Sequence, residues 1–126
     1  MDKREIKFRA WNSNVKEMRT PYAWQNESNM FSAAMCWSPT ENLMQFTGLK
    51  DCNGVDIYEG DIVDIDYGEY LPSPYNIKGF TGVVKFIDGS FMVEKDTHLV
   101  DFLFQEIAVV EVIGNIYQNP MLLEDV

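Results

Sequence analysis

The sequence predicts a mainly β protein, a small barrel or sandwich assembled from short strands. Three observations predict it. The 17 aromatic residues are spread along all 126 positions, as β-rich chains require. Short apolar runs alternate with polar residues at the strand period, and turn signals recur about every ten residues. With 46% hydrophobic residues the chain holds enough apolar material for a core, which excludes wholesale disorder. Its length suits one domain.

Taken in order, Ile6-Lys7-Phe8-Arg9-Ala10 alternates apolar with basic. That pattern predicts a half-buried strand with Ile6, Phe8 and Ala10 inward and Lys7 and Arg9 outward. Asn12-Ser13-Asn14 supplies turn chemistry, and residues 15–22 return as the second arm of a hairpin. Over 23–42 the pattern weakens to a strand fragment at Met30-Phe31 and a loop at Ser38-Pro39-Thr40. Order returns with a strand at 43–46, and Asn53-Gly54 suits a tight turn with positive φ. Ile57-Tyr58 leads through Glu59-Gly60-Asp61 into a strand at 62–67 that ends in strict alternation, with one acidic face. Residues 68–80, with Gly68, Pro72, Pro74 and Gly79, are expected to form a long loop. Asp88-Gly89 is the strongest hairpin signal, flanked by strands at 82–87 and 90–94. Residues 99–107 and 109–117 supply two more strands. Asn119 at N-cap and Pro120 at N1 predict a short terminal helix holding Leu122 and Leu123.

The formal net charge of −10 is unevenly placed. Residues 1–20 carry Lys3, Arg4, Lys7, Arg9, Lys16 and Arg19 against three acids, a balance of +3. Residues 21–56 stand at −3, and residues 57–126, with 13 acids and only Lys78, Lys85 and Lys95, stand at −10. Such an acidic body repels nucleic acid at long range, and the basic head is too small for a phosphate footprint. No run approaches the roughly 18 apolar residues of a membrane span. No apolar stretch follows Met1-Asp2-Lys3-Arg4-Glu5, so a secretory signal is not expected. The expectation is a cytoplasmic protein in which Cys36 and Cys52 are free thiols.

Three blocks carry a resemblance. They are Ile6-Lys7-Phe8-Arg9-Ala10-Trp11; Gln45-Phe46-Thr47-Gly48-Leu49-Lys50-Asp51 with Asn53-Gly54 and Ile57-Tyr58-Glu59-Gly60-Asp61-Ile62-Val63; and Val112-Ile113-Gly114-Asn115-Ile116-Tyr117 with Asn119-Pro120 and Leu122-Leu123. In order and spacing the chain resembles the YopX-like family of phage and prophage proteins over nearly its whole length. Cys52 stands where the family usually has a polar residue, and 23–42 matches no block. The resemblance implies an SH3-like barrel over 48–126, with residues 1–47 as an N-terminal β extension packed on it. It also implies a mobile-element origin in a bacterium. It carries over no catalytic residue, and a fold alone does not give function.

Read for chemistry, the middle block is structural. Gly48, Gly54 and Gly60 permit turns, Tyr58 and Ile62 read as core, and Glu59 and Asp61 flank a bend where carboxylates accept backbone N–H groups. Asp64 and Asp66 share one strand face about 7 Å apart. They lack the further ligands of a calcium loop, and a solvated face gives neither a raised pKa. His98, Asp96, Asp101 and Cys52 include the residue types of a nucleophilic triad, without any elbow or oxyanion motif. Gly79-Phe80-Thr81-Gly82 lacks the Lys-Ser/Thr of a phosphate loop. No catalytic, cofactor or metal residue is expected, and the chain does not read as an enzyme.

Two candidate contact surfaces remain. Tyr70, Leu71 and Tyr75, in the loop with two prolines, offer exposed anchors or fold back on their own barrel. Lys7 and Arg9 form either a solvated strand face or a basic arm that docks on acidic surface, in this chain or in a neighbouring copy. The function expected is a non-catalytic protein-interaction module, its partner another protein or a second copy. The alternative is an acidic mimic of nucleic acid that occupies a host DNA-binding protein.

Overall fold

The structure is a computed structural model, and it describes residues 5–19, 41–68, 77–105 and 108–124. The chain divides into two compact units, Met1–Phe46 and Thr47–Val126. The described residues are mainly β, in curled antiparallel sheets, with a single 3-10 turn near the end. None of their helices is long and apolar enough to cross a membrane.

In the first unit, β1 (Phe8–Asn12) lies antiparallel to β2 (Glu17–Arg19) on one side and to β3 (Glu41–Lys50) on the other. Asn12 makes the turn after β1, its side-chain oxygen accepting the backbone N–H groups of Asn14 and Val15. Lys16 closes that turn at φ 55°, so the return arm starts at Glu17 and not at Val15, and its described part is Glu17–Arg19.

Ala10 is fully buried as expected, but the register corrects the outward reading of Lys7 and Arg9. Arg9 lies opposite Met44, and the Lys7 carbonyl accepts the N–H of Phe46. Paired residues share a face, so Lys7 and Arg9 are on the face of the buried Trp11, Met44 and Phe46. The Lys7 ammonium sits 4.5 Å from the Phe46 ring centre and 2.8 Å from Glu5. Its methylene stem covers apolar surface while the charge finds an aromatic face and a carboxylate. Ile6 precedes β1 and is exposed.

The second unit opens at Thr47 within β3, which turns into β4 (Asp56–Tyr58). It continues through β5 (Asp61–Asp66), β6 (Gly79–Ile87), β7 (Ser90–Asp96), β8 (Leu99–Phe102) and β9 (Val109–Asn115). Strands β5 to β8 form a meander, and β9 returns to the far side of β5, giving the order β8-β7-β6-β5-β9. Alternation on β5 sends Val63 and Ile65 into the core and leaves Asp64 and Asp66 exposed. Val63, Ile65 and Tyr67 join Ile57, Phe80, Val84, Val93 and Leu103 in one cluster. Each such aliphatic chain stabilises the fold by about 1.5–3 kcal/mol when taken out of water.

Asp88 and Gly89 take φ of 50° and 86° between the paired Ile87 and Ser90, the two-residue hairpin their sequence predicts. Three other expectations are corrected. Gly79 and Phe80 belong to β6, paired with Asp66 and Ile65, and not to the preceding loop. The strand expected at 99–107 stops at Phe102, where Asp101 turns its carboxylate onto the Phe102 N–H. The terminal helix is only a 3-10 turn, Pro120–Leu123. Asn119 does not cap it, because its side-chain oxygen accepts the N–H of Asn115 instead.

Candidate functional site

The turn between β3 and β4 is organised by one carboxylate. Asp51 is buried, and its Oδ1 accepts the N–H groups of Asn53 and Val55, each at 2.8 Å. Its Oδ2 accepts the N–H of Val112 on β9 at 2.9 Å. Beside it, the Cys52 N–H donates to the Val110 carbonyl at 3.0 Å. Burial pushes the Asp51 pKa up, but the hydrogen bonds from Val112, Val55 and Asn53 outweigh it and hold the carboxyl below its ordinary value. The outer edge of β9 is thereby tied to a turn. On its inner edge the register with β5 slips at Ile62–Val63, leaving Ile113 without an opposite residue.

That turn forms one wall of an open groove of about 370 Å³. Leu49 and Ile57 come from the hairpin, Leu103 and Phe104 from the segment after β8, and Ala108 and Val110 from the start of β9. The segment after β8 is anchored to the core. Tyr67, almost fully buried, donates its hydroxyl to Asp101 at 2.5 Å, and Gln105 donates to the same oxygen at 3.1 Å. Leu103 points into the core, while Phe104 is 72% exposed and Val109 55% exposed at the groove mouth. A concave apolar surface with exposed aromatic edges can hold one or two apolar side chains. Among its described residues the Asp51 carboxylate is occupied by backbone N–H groups.

The sequence candidates fall elsewhere. Tyr70, Leu71 and Tyr75 lie outside the described residues, as do Cys36, Met30-Phe31 and Ser38-Pro39-Thr40. Lys7 and Arg9 are in the first unit, half-buried on the β1–β3 face. Cys52 is a free, exposed thiol at the groove rim. His98 is exposed in the β7–β8 turn, where its backbone N–H donates to Asp96, while Asp101 holds Tyr67. Asp64 and Asp66 engage Thr81 and the Gly68 N–H. Among the described residues no three His, Cys, Asp or Glu side chains converge on a metal position. In the middle block Ile62 is fully buried as expected, along with Ile57 and Val63, whereas Tyr58 is only half-buried; Asp61 accepts the Tyr58 N–H at 2.8 Å. The groove itself escaped sequence reading. Its one signal is Phe102-Leu103-Phe104, which at period two puts Leu103 in and two phenylalanines out.

The family model for the YopX protein matches residues 7–124. The chain belongs to the YopX family. Among solved structures it is similar to protein EF1440 from Enterococcus faecalis, with 29% identity and a TM-score of 0.64, over 97% of this chain and 100% of that one. It is also similar to protein yopX from Bacillus subtilis, with 26% identity and a TM-score of 0.58, over 94% and 98% of the two chains. No curated protein matches it.

The second and third family blocks hold the residues that lock the second unit. The middle block contains Asp51 and Asp61. The last contains Asn115, which is buried and accepts the N–H groups of Tyr117 and Gln118.

Proposed function

We propose that this YopX-family protein is a non-catalytic protein-interaction module, an SH3-like barrel that presents its apolar groove to a partner. The barrel reading is supported by the antiparallel order β8-β7-β6-β5-β9 around one core. The family resemblance supports a prophage-encoded accessory protein acting in the bacterial cytoplasm. One observation carries the interaction reading: Phe104 stands 72% exposed over the groove, next to a Leu103 that is fully in the core. An exposed aromatic on an anchored segment is the usual form of a binding hot spot.

The test is affinity capture of cross-linked partners from bacterial lysate, using the intact protein and its Phe104→Asp variant at low and high salt. A partner kept in high salt by the intact protein and lost by the variant is the expected result. Identical captures by both would overturn the groove reading. A second reading, the acidic nucleic-acid mimic, is favoured by the balance of −10 over residues 57–126 and by the exposed Asp64, Asp66, Asp88, Asp96 and Glu111. It predicts a host nucleic-acid-binding protein that salt releases and that Phe104→Asp does not affect.

A further inference from the structure

We propose that the groove selects a partner segment whose apolar anchor is flanked by lysine or arginine. This rests on the interaction reading above and adds the chemistry of what enters. The floor is apolar, formed by Leu49, Ile57, Leu103, Ala108 and Val110, and its volume of about 370 Å³ admits side chains of leucine or phenylalanine size.

The charge beside it is predominantly negative. Among the described residues Lys50 is the one cation lining the groove, and it is ion-paired with Asp56 at 2.6 Å. Glu111 is exposed and accepts the Asn53 side-chain amide at 3.1 Å, beside the tip of the turn. Asp101 accepts from Gln105, a lining residue, at 3.1 Å. With Lys50 and Asp56 cancelling, Glu111, bonded to the turn through Asn53, and Asp101, bonded to the lining Gln105, add negative charge beside the groove, and the sequence from 57 to 126 carries 13 acids against three lysines. An acidic segment would be repelled on approach and a neutral one would gain no steering. A basic-flanked segment is drawn in by the rim and held by the floor.

Fluorescence anisotropy on the intact protein tests this with three labelled peptides: Lys-Arg-Leu-Phe-Lys-Arg, Ser-Gly-Leu-Phe-Ser-Gly and Glu-Asp-Leu-Phe-Glu-Asp. The basic peptide should bind at least about tenfold tighter than the neutral one, with the acidic peptide weakest. Its affinity should fall about tenfold in Glu111→Lys and be lost in Phe104→Asp. Both substitutions change exposed side chains, so the fold is retained. Amide shifts on binding should gather at Leu49, Cys52, Leu103 and Val110.

Equal binding of the basic and neutral peptides, or no effect of Glu111→Lys, would overturn the proposal. If no peptide binds while Phe104→Asp still removes a partner from lysate, the basic-anchor chemistry fails and the interaction module stands. If both tests fail, both readings go together. A self-associating intact protein that Phe104→Asp makes monomeric, without peptide binding, would assign the groove to a second copy and likewise overturn it.

Discussion

Asp51 and Val112 are 61 positions apart in the chain, and the carboxylate of the first accepts the backbone N–H of the second at 2.9 Å. A side chain here takes the place of a neighbouring strand. The hydrogen bond occupies a donor on the outer edge of β9, which would otherwise offer itself to any passing chain. It also fixes the β3–β4 turn against the groove.

Replacing Asp51 with alanine leaves three backbone donors, on Asn53, Val55 and Val112, without their acceptor. The expected loss of stability is about 2–4 kcal/mol, because three hydrogen bonds to a charged acceptor are lost together, with water able to replace the acceptor at the exposed Asn53 and Val55. Urea unfolding measures it. Asp51→Asn, which keeps one acceptor oxygen, should lose less.

The same carboxylate sets an acid limit. Its folded pKa lies below the ordinary value of 3.8, so the unfolded chain takes up the proton first as pH falls. The stability it contributes is therefore fully present above 3.8 and is lost as pH drops through the lower folded value. Urea midpoints taken from about pH 5 down to about pH 2 should converge for the intact protein and Asp51→Asn. A gap that stays constant across that range would show that the carboxylate charge is not what holds the turn.

Tyr67→Phe isolates the anchor of the other groove wall. The hydroxyl-to-Asp101 bond disappears, while the ring and its packing near Phe80 remain. The cost should be about 1–3 kcal/mol for a hydrogen bond to a charged acceptor. Hydrogen exchange should quicken first at Phe102 and Leu103, whose N–H groups bond to Asp101 and to the Phe91 carbonyl. Faster exchange spread evenly over the sheet would point to general loosening of the core instead.

What the sequence disclosed and what it hid follow from the range of the forces involved. Asp88-Gly89 was legible because a positive φ is a property of two adjacent residues. The alternation on β5 was legible because burial repeats at the strand period. Lys7 and Arg9 misled because alternation fixes which residues share a face, while the partner strand decides which face is covered. Here that strand brought Met44 and Phe46. The groove was hidden because its lining comes from three separate stretches, 49–57, 103–105 and 108–110. They meet through Asp51, the Cys52–Val110 bond, the Tyr67–Asp101 anchor and the return of β9 to β5. Asp51 itself stood in a recognisable block, but nothing local names an acceptor's partner 61 positions away.

Gly79 shows the same limit from the side of sterics. It reads as a strand breaker, yet it sits in β6 opposite Asp66. A Cβ built there would lie 2.0 Å from the Ile65 carbonyl oxygen, a backbone atom that can move only if β5 moves. Gly68 is the useful contrast: φ is +79° and a Cβ would meet nothing within 4 Å. Gly68→Ala should therefore cost only backbone strain, about 1–2 kcal/mol. Gly79→Ala should cost more than about 3 kcal/mol, since it must part β5 from β6 beside the core residues Ile65 and Phe80. Thermal melts of the two variants decide it. Equal losses would mean that β5 and β6 separate there at little cost, and that the close approach of Gly79 to Ile65 is not what demands a glycine.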